Sequence, residues 1–387
     1  MLIVRAIACF IASLTYTFDF GAFSEAKPPV ILLKKATSKN MDRLNLTSYQ
    51  KVNQSFNRTM VYHVGVDCGF FVEMNYMVNA MLYCLAHRIR FQLYSDDANF
   101  GTGVGWTEYF LPFCEEVHEP FHQKYNFHRL PSWHRILELC KSQRSLGPVA
   151  WKVKKTLKTW IGRIVAYRTY GKHILLAQDV PGAPEQSYHV PELGINGDYI
   201  STFALLARMI WQLNPEMVRQ KNTCKMALSL PSTFAGAQIR GGDKITETRL
   251  VNGTSIIKKL GLPDRESLFI LTDDYGQFLK AKEDFPALRL FTLCQEDETG
   301  YQHKQFCQKD SQSKRDAISR LIISVDLLLG SHSFVGSITT GPSVFIMKVR
   351  HNDSRVQAID CPKDELPTVL RLPLYARAKI SMRNLQG

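Results

Sequence analysis

The densest run of chemistry-bearing residues is Ala237-Gln238-Ile239-Arg240-Gly241-Gly242-Asp243-Lys244-Ile245-Thr246-Glu247. A guanidinium at the carboxyl end of an apolar strand is placed to fork onto phosphate oxygens. Gly241 and Gly242 let the backbone turn sharply and come close to a ligand. Glu247, a few residues on, can reach the same cleft as a general base. A plain strand-to-loop turn with a surface ion pair accounts for the same residues.

A second run is Phe334-Val335-Gly336-Ser337-Ile338-Thr339-Thr340-Gly341-Pro342-Ser343, ahead of an apolar segment. Pro342 fits the first position of a helix, with Gly341 or Thr340 as its cap. The backbone N–H groups of such a helix end attract anions, and the hydroxyls of Thr339, Thr340 and Ser343 can add to them. An ordinary capped helix is the plainer reading. Two anion-holding features after strands of one domain suit a diphosphate. A third run, Leu268 to Asp274, is a buried strand ending in Asp273 and Asp274. These acids can serve a sugar, a ribose or a metal, or they can cap a turn.

Such residues need strands and helices to aim them. From residue 226 onward the pattern alternates. Strands are predicted at 234–239, 267–271, 288–292, 333–335 and 355–359, and helices at 277–283, 315–329 and 343–349. Before it, strands are predicted at 60–66 and 89–94 and helices at 72–86 and 200–219. Alternating strands and helices argue for parallel sheets covered on both faces. Two such halves imply a cleft between α/β domains, with ligands at the carboxyl ends of strands.

The chain has 387 residues, 45% hydrophobic and 21% charged, which excludes a disordered chain, a collagen, a coiled coil and a polytopic membrane protein. Its 48 basic and 35 acidic residues leave a net charge of +13, which suits an anionic partner. Nine basic residues and no acid fall within 141–175, where apolar residues at helical spacing predict a basic amphipathic helix. That helix is either a solvated surface or a contact for a membrane or acceptor, and no nucleic-acid-binding motif accompanies it.

Residues 1–26 read as a signal peptide or a retained signal anchor: Arg5, an apolar run from Ala6 to Phe18, then Ser24-Glu25-Ala26. Residues 27–57 read as a stem. Sequons at Asn45, Asn53, Asn57, Asn252 and Asn352 agree with a glycoprotein of the secretory pathway, in the Golgi lumen or secreted. Eight cysteines beyond the signal permit up to four disulfides, with Cys294–Cys307 the best candidate bridge. Zinc-site spacing is missing from the sequence.

In their order these motifs resemble the α-1,6-fucosyltransferase family, the core N-glycan and Nod-factor enzymes. The resemblance covers residues 60–350, through Gly69 to Val117, Gln238 to Glu247, Leu271-Thr272-Asp273-Asp274 and Ile322 to Val349. It implies a two-domain GT-B-like fold: an acceptor-side α/β domain at 58–225 and a Rossmann-like donor-binding domain at 226–387. It further implies GDP-fucose as donor, a glycan acceptor, inversion, and no metal or other cofactor. Neither Asp273-Asp274 nor Asp96-Asp97 has the Asp-x-Asp form of metal-dependent glycosyltransferases. By resemblance Arg240 holds the β-phosphate, Lys244 supports the reaction centre, Glu247 is the base, and Thr339 and Thr340 line the diphosphate. Asp326 corresponds to the acid that reads guanine, although Ser324 stands at the gap-free position. Gly241 replaces the family's second arginine, Gln238 replaces a histidine, and Glu247 comes one residue early. The alternatives are a relative with another donor, a protein O-fucosyltransferase, and an inactive glycan- or nucleotide-binding relative.

Overall fold

The computed structural model describes residues 44–64, 69–124, 168, 172–175, 187–242 and 251–385. The signal, Asp243, Lys244, Glu247 and most of the basic segment lie outside the described residues. The described chain belongs to one compact unit, Met41–Gly387. Its first half contains α1 (Leu46–Gln54), β1 (Arg58–His63), α2 (Phe70–Ala86), β2 (Ile89–Tyr94), β3 (Glu115–Glu116), α3 (Pro120–Lys124) and β4 (Lys172–Leu175). A short pair β5 (Ser187–Val190) and β6 (Ile195–Asp198) leads into α4 (Tyr199–Ile210) and α5 (Pro215–Ala227).

The second half runs β7 (Ala235–Ile239), α6 (Gly253–Leu260), β8 (Ser267–Thr272), α7 (Tyr275–Asp284), β9 (Arg289–Phe291), α8 (His303–Gln308) and α9 (Ser311–Leu329). It ends with β10 (Ser333–Gly336), α10 (Gly341–Val349), β11 (Val356–Ala358), α11 (Leu366–Val369) and α12 (Leu374–Asn384).

Both large sheets are parallel, as the alternation requires. The first has strand order β3-β2-β1-β4 and the second β11-β10-β7-β8-β9. The second is the doubly wound order of a Rossmann-like sheet, which reverses direction between β7 and β10 and opens a crevice at their carboxyl ends. Every residue of β7 and β8 is buried, the mark of strands covered on both faces.

Three differences from the sequence expectations have local causes. The predicted helix 200–219 is two helices, because Asn214 accepts the Met217 N–H as an N-cap and Pro215 starts α5. The folded unit begins before residue 58, inside the segment read as a stem. Leu44, Tyr49 and Phe56 are buried there, and Asn53 exchanges two hydrogen bonds with the backbone of Phe91. Cys294 and Cys307 are not bridged. Cys84, Cys114, Cys224 and Cys361 are free thiols as well, and the Cys307 sulfur instead faces His303 Nε2 at 3.5 Å.

The halves 58–225 and 226–387 share one apolar core. Phe71 of α2, Trp211 after α4 and Phe345 of α10 meet with ring centroids 4.9–5.9 Å apart. At Gly341 an added Cβ would lie 2.9 Å from the Phe71 Cβ, so α10 begins against the start of α2. These helices follow β10 and, across residues 65–69, β1. No helix among the described residues is long and apolar enough to cross a membrane.

Candidate functional site

A cavity of about 260 Å³ lies over the carboxyl ends of β7, β8 and β9. Gln238 and Arg240 enter it from β7, Thr272 and Asp273 from β8, and the loop 293–302 from β9. One face of α9 closes it with Ala317, Arg320, Leu321 and Ser324, and Pro342 at the start of α10 completes the wall. This is where a doubly wound sheet binds ligands. Its volume sits near the lower end of the ~300–1,000 Å³ common for small-molecule sites.

Arg240 is fixed before any ligand arrives. Its Nη1 donates to Asp273 Oδ2 at 2.6 Å, and its guanidinium lies 5.1 Å from the centre of the Tyr301 ring. Asp273 accepts two further bonds, from the Gly241 N–H at 2.7 Å and the Tyr301 N–H at 2.8 Å. This carboxylate therefore ties together the β7 turn, the β8 end and the β9 loop, and its chief work is to position Arg240. Asp274 turns away: it is the N-cap of α7, accepting the Gly276 N–H at 2.9 Å. For Asp274 the capping reading holds.

The two glycines serve packing more than ligand approach. Gly242 has φ +69°, and an added Cβ would sit 2.3 Å from the Tyr301 carbonyl oxygen. Gly300 presses from the other side, where an added Cβ would lie 2.6 Å from the Gly242 Cα. The β7 turn and the loop carrying Tyr301 thus stack backbone on backbone, a contact only glycine permits. At Gly241 an added Cβ would be 2.9 Å from the Asp274 Cβ. Any side chain there would have to displace Asp274.

The hydroxyls of the second motif face inward to the protein. Thr340 and Ser343 both donate to Gln238 Oε1, and all three side chains are buried. Ser337 shares a bond with Thr339 and donates to Asp360 at 2.6 Å. Thr340 and Ser343 tie this turn to β7, Ser337 and Ile338 tie it to the loop after β11, and the cavity wall is reached by Pro342 beside them. Asp326 is likewise occupied, by Trp211 Nε1 at 2.9 Å and Lys221 Nζ at 3.0 Å. Ser324, two residues earlier on α9, is the one that reaches the cavity.

No protein-family model and no curated protein matches this chain. Among solved structures it is similar to the fucosyltransferase NodZ from Bradyrhizobium. The identity is 11%, over 79% of this chain and 96% of that one, with a TM-score of 0.44. It is also similar to a variant of Arabidopsis thaliana FUT1 in complex with GDP, at 11% identity over 78% and 73% of the two chains and a TM-score of 0.43. POFUT1 in complex with GDP is similar at 10% identity over 78% and 98%, with a TM-score of 0.42.

Sequence reading missed four residues that shape this region. Tyr301 and Glu298 lie in a loop without a motif, and Arg320 is one cation among several in a long helix. Asp360 is buried behind the Thr339–Ser343 turn, where it accepts bonds from Ser337, Ile338 and Ser381. An acid at the end of a predicted strand was the available signal for Asp360; for the others none was visible. Cys294 also lines the cavity, and burial together with Glu298 pushes its thiol well up. Among the described residues no group of three His, Cys, Asp or Glu side chains is placed to hold a metal ion.

Proposed function

We propose that this protein is a glycosyltransferase whose donor is a nucleoside-diphosphate sugar. The observation that carries the reading is Arg240. It lies at the carboxyl end of β7, in a cavity beside the switch point of a Rossmann-like sheet, held by Asp273 and backed by Tyr301. A preorganised guanidinium there stabilises charge on a departing diphosphate without reorganising during the reaction.

The finer reading is transfer of fucose from GDP-β-L-fucose to a glycan hydroxyl, α-1,6-type, in one inverting step. It rests on the order of the sequence motifs. In this reading Glu247 removes the acceptor proton as the glycosidic bond forms and the GDP leaving group departs, and Lys244 and Arg240 receive the negative charge on GDP. The protein would work in the secretory pathway, consistent with the signal-like first 26 residues and with a basic segment that can meet a membrane surface.

A second reading has one specific observation in its favour. Gly241 leaves the donor site without the adjacent arginine, and a side chain there would have to displace Asp274, as a nucleotide- or glycan-binding relative without turnover would tolerate. Donor screening separates the two. The protein is incubated with GDP-fucose, GDP-mannose and UDP-sugars, and release of nucleoside diphosphate is followed with and without glycan acceptors. Turnover of GDP-fucose that survives EDTA and falls about 10²–10⁴-fold in Glu247→Gln supports the enzyme reading. Tight GDP binding with no turnover on any donor supports the binder. In calorimetry Arg240→Ala should weaken GDP binding roughly 10- to 150-fold. Unchanged affinity in that variant would sink the assignment of the site.

A further inference from the structure

The cavity holds more cationic groups than its sequence motif declares. Lys309, after α8, and Arg320, in the middle of α9, line it together with Arg240. Arg320 stands in an unexpected place. The face of α9 turned to the cavity is Ala317, Ile318, Arg320, Leu321 and Ser324, residues about one turn apart that a closed core fills with apolar side chains. An arginine on that stripe needs a partner.

The partner is Glu298, whose Oε1 accepts from Arg320 Nη2 at 2.7 Å. Glu298 is itself fixed by the β9 loop: its Oε2 accepts the Gln295 N–H at 3.0 Å, and its carbonyl accepts the Tyr275 N–H at 2.8 Å. The two cavity arginines are thus built alike. Each is half-buried, and each is held by one carboxylate on a loop at the carboxyl end of the sheet. A guanidinium carries five N–H donors. For Arg320 the bond to Glu298 is its one hydrogen bond to the described residues, so most of the fork is left for whatever enters the cavity.

We propose that Arg320, oriented by Glu298, is a second phosphate-binding arginine of this site, reaching the cavity from α9 where position 241 supplies only a glycine. The proposal rests on the nucleoside-diphosphate reading and adds a residue to it. Two forks entering from different walls can grip a diphosphate from two directions, whereas adjacent arginines on one strand end share one. Lys309 adds a point charge at the same rim. The acids Asp273 and Glu298 hold the forks open between ligands and keep two like charges tolerable in one small cavity.

The test is calorimetric titration of GDP, with guanosine affinity measured in parallel by ligand-observed NMR, on wild type, Arg320→Ala and Arg320→Lys. We expect Arg320→Ala to weaken GDP binding roughly 10- to 150-fold and Arg320→Lys by less, since lysine keeps the charge but loses the fork. Guanosine affinity should not change in either variant. A purely structural Arg320–Glu298 pair predicts the opposite pattern: equal losses for GDP and guanosine, in step with lost folding. Should Arg320→Ala not fold, Arg320→Lys decides by the same comparison. Wild type that binds GDP and variants that bind it equally well overturn this inference alone. Wild type that binds neither GDP nor inorganic pyrophosphate overturns the nucleotide reading, and this inference with it.

Discussion

Replacing Asp273 by asparagine tests whether that acid positions Arg240 or serves a sugar or metal directly. The carboxylate accepts from Arg240 and the Tyr301 N–H on Oδ2 and from the Gly241 N–H on Oδ1. An amide offers one oxygen. In the better orientation that oxygen keeps the Arg240 and Tyr301 bonds, now as a neutral acceptor, and the NH₂ is turned against the Gly241 N–H. One bond to a charged group is lost and two are weakened. Hydrogen bonds to ionised groups contribute about 1.5–3 kcal/mol each, and an unsatisfied donor costs about 1–3. Asp273 is 20% exposed, so water offsets part of this. The net expectation is a destabilisation of about 2–4 kcal/mol. That is a large share of the ~5–15 kcal/mol of an ordinary domain. Urea unfolding followed by circular dichroism reads the shift, and GDP titration of the folded variant should show weaker binding because Arg240 is no longer pinned. If Asp273→Asn unfolds at the wild-type urea concentration while donor turnover is abolished, the acid acts on the ligand, and the positioning argument fails.

Three further outcomes follow from the structure. Gly242→Ala forces a side chain into φ +69° and onto the Tyr301 backbone, so it should cost about 2–4 kcal/mol; an unchanged melting temperature would contradict the stacked-loop arrangement. Lys348 is buried with Asn75 and Tyr199 as neutral partners, and burial holds its pKa well below the ordinary value. The unfolded chain then binds a proton that the native state does not, from the lowered native pKa up to about 10.4. Wild-type stability should therefore rise with pH in that window relative to Lys348→Met, and parallel urea curves for the two at pH 7 and pH 10 would refute it. Finally, Asn53 is 3% exposed and bonded to Phe91, so peptide mapping of protein from a glycosylating host should find no glycan on Asn53, whatever occupies the other sequons.

Much of the architecture was legible because it depends on local pattern. Short, mostly apolar segments at 235–239 and 267–272, bounded by polar stretches and turn residues, read as strands covered on both faces, and parallel order follows from the connections between them. Arg240, Asp273 and the Thr339–Ser343 turn were visible as polar residues at strand ends. The break at Asn214-Pro215 was also written locally, as a cap followed by proline, but a continuous apolar stripe outweighed it. What Arg240 touches was not legible, because Tyr301 and Asp273 lie 61 and 33 residues away and meet it only when β7, β8 and the β9 loop are side by side. The same holds for Gly242 against Gly300 and for Arg320 against Glu298. Spacing along a chain fixes which residues share a face of one helix or strand. Which acid neutralises which arginine, which hydroxyls are spent inside the fold, and whether position 241 can hold a side chain are set by distances between elements, and those are properties of the packed structure alone.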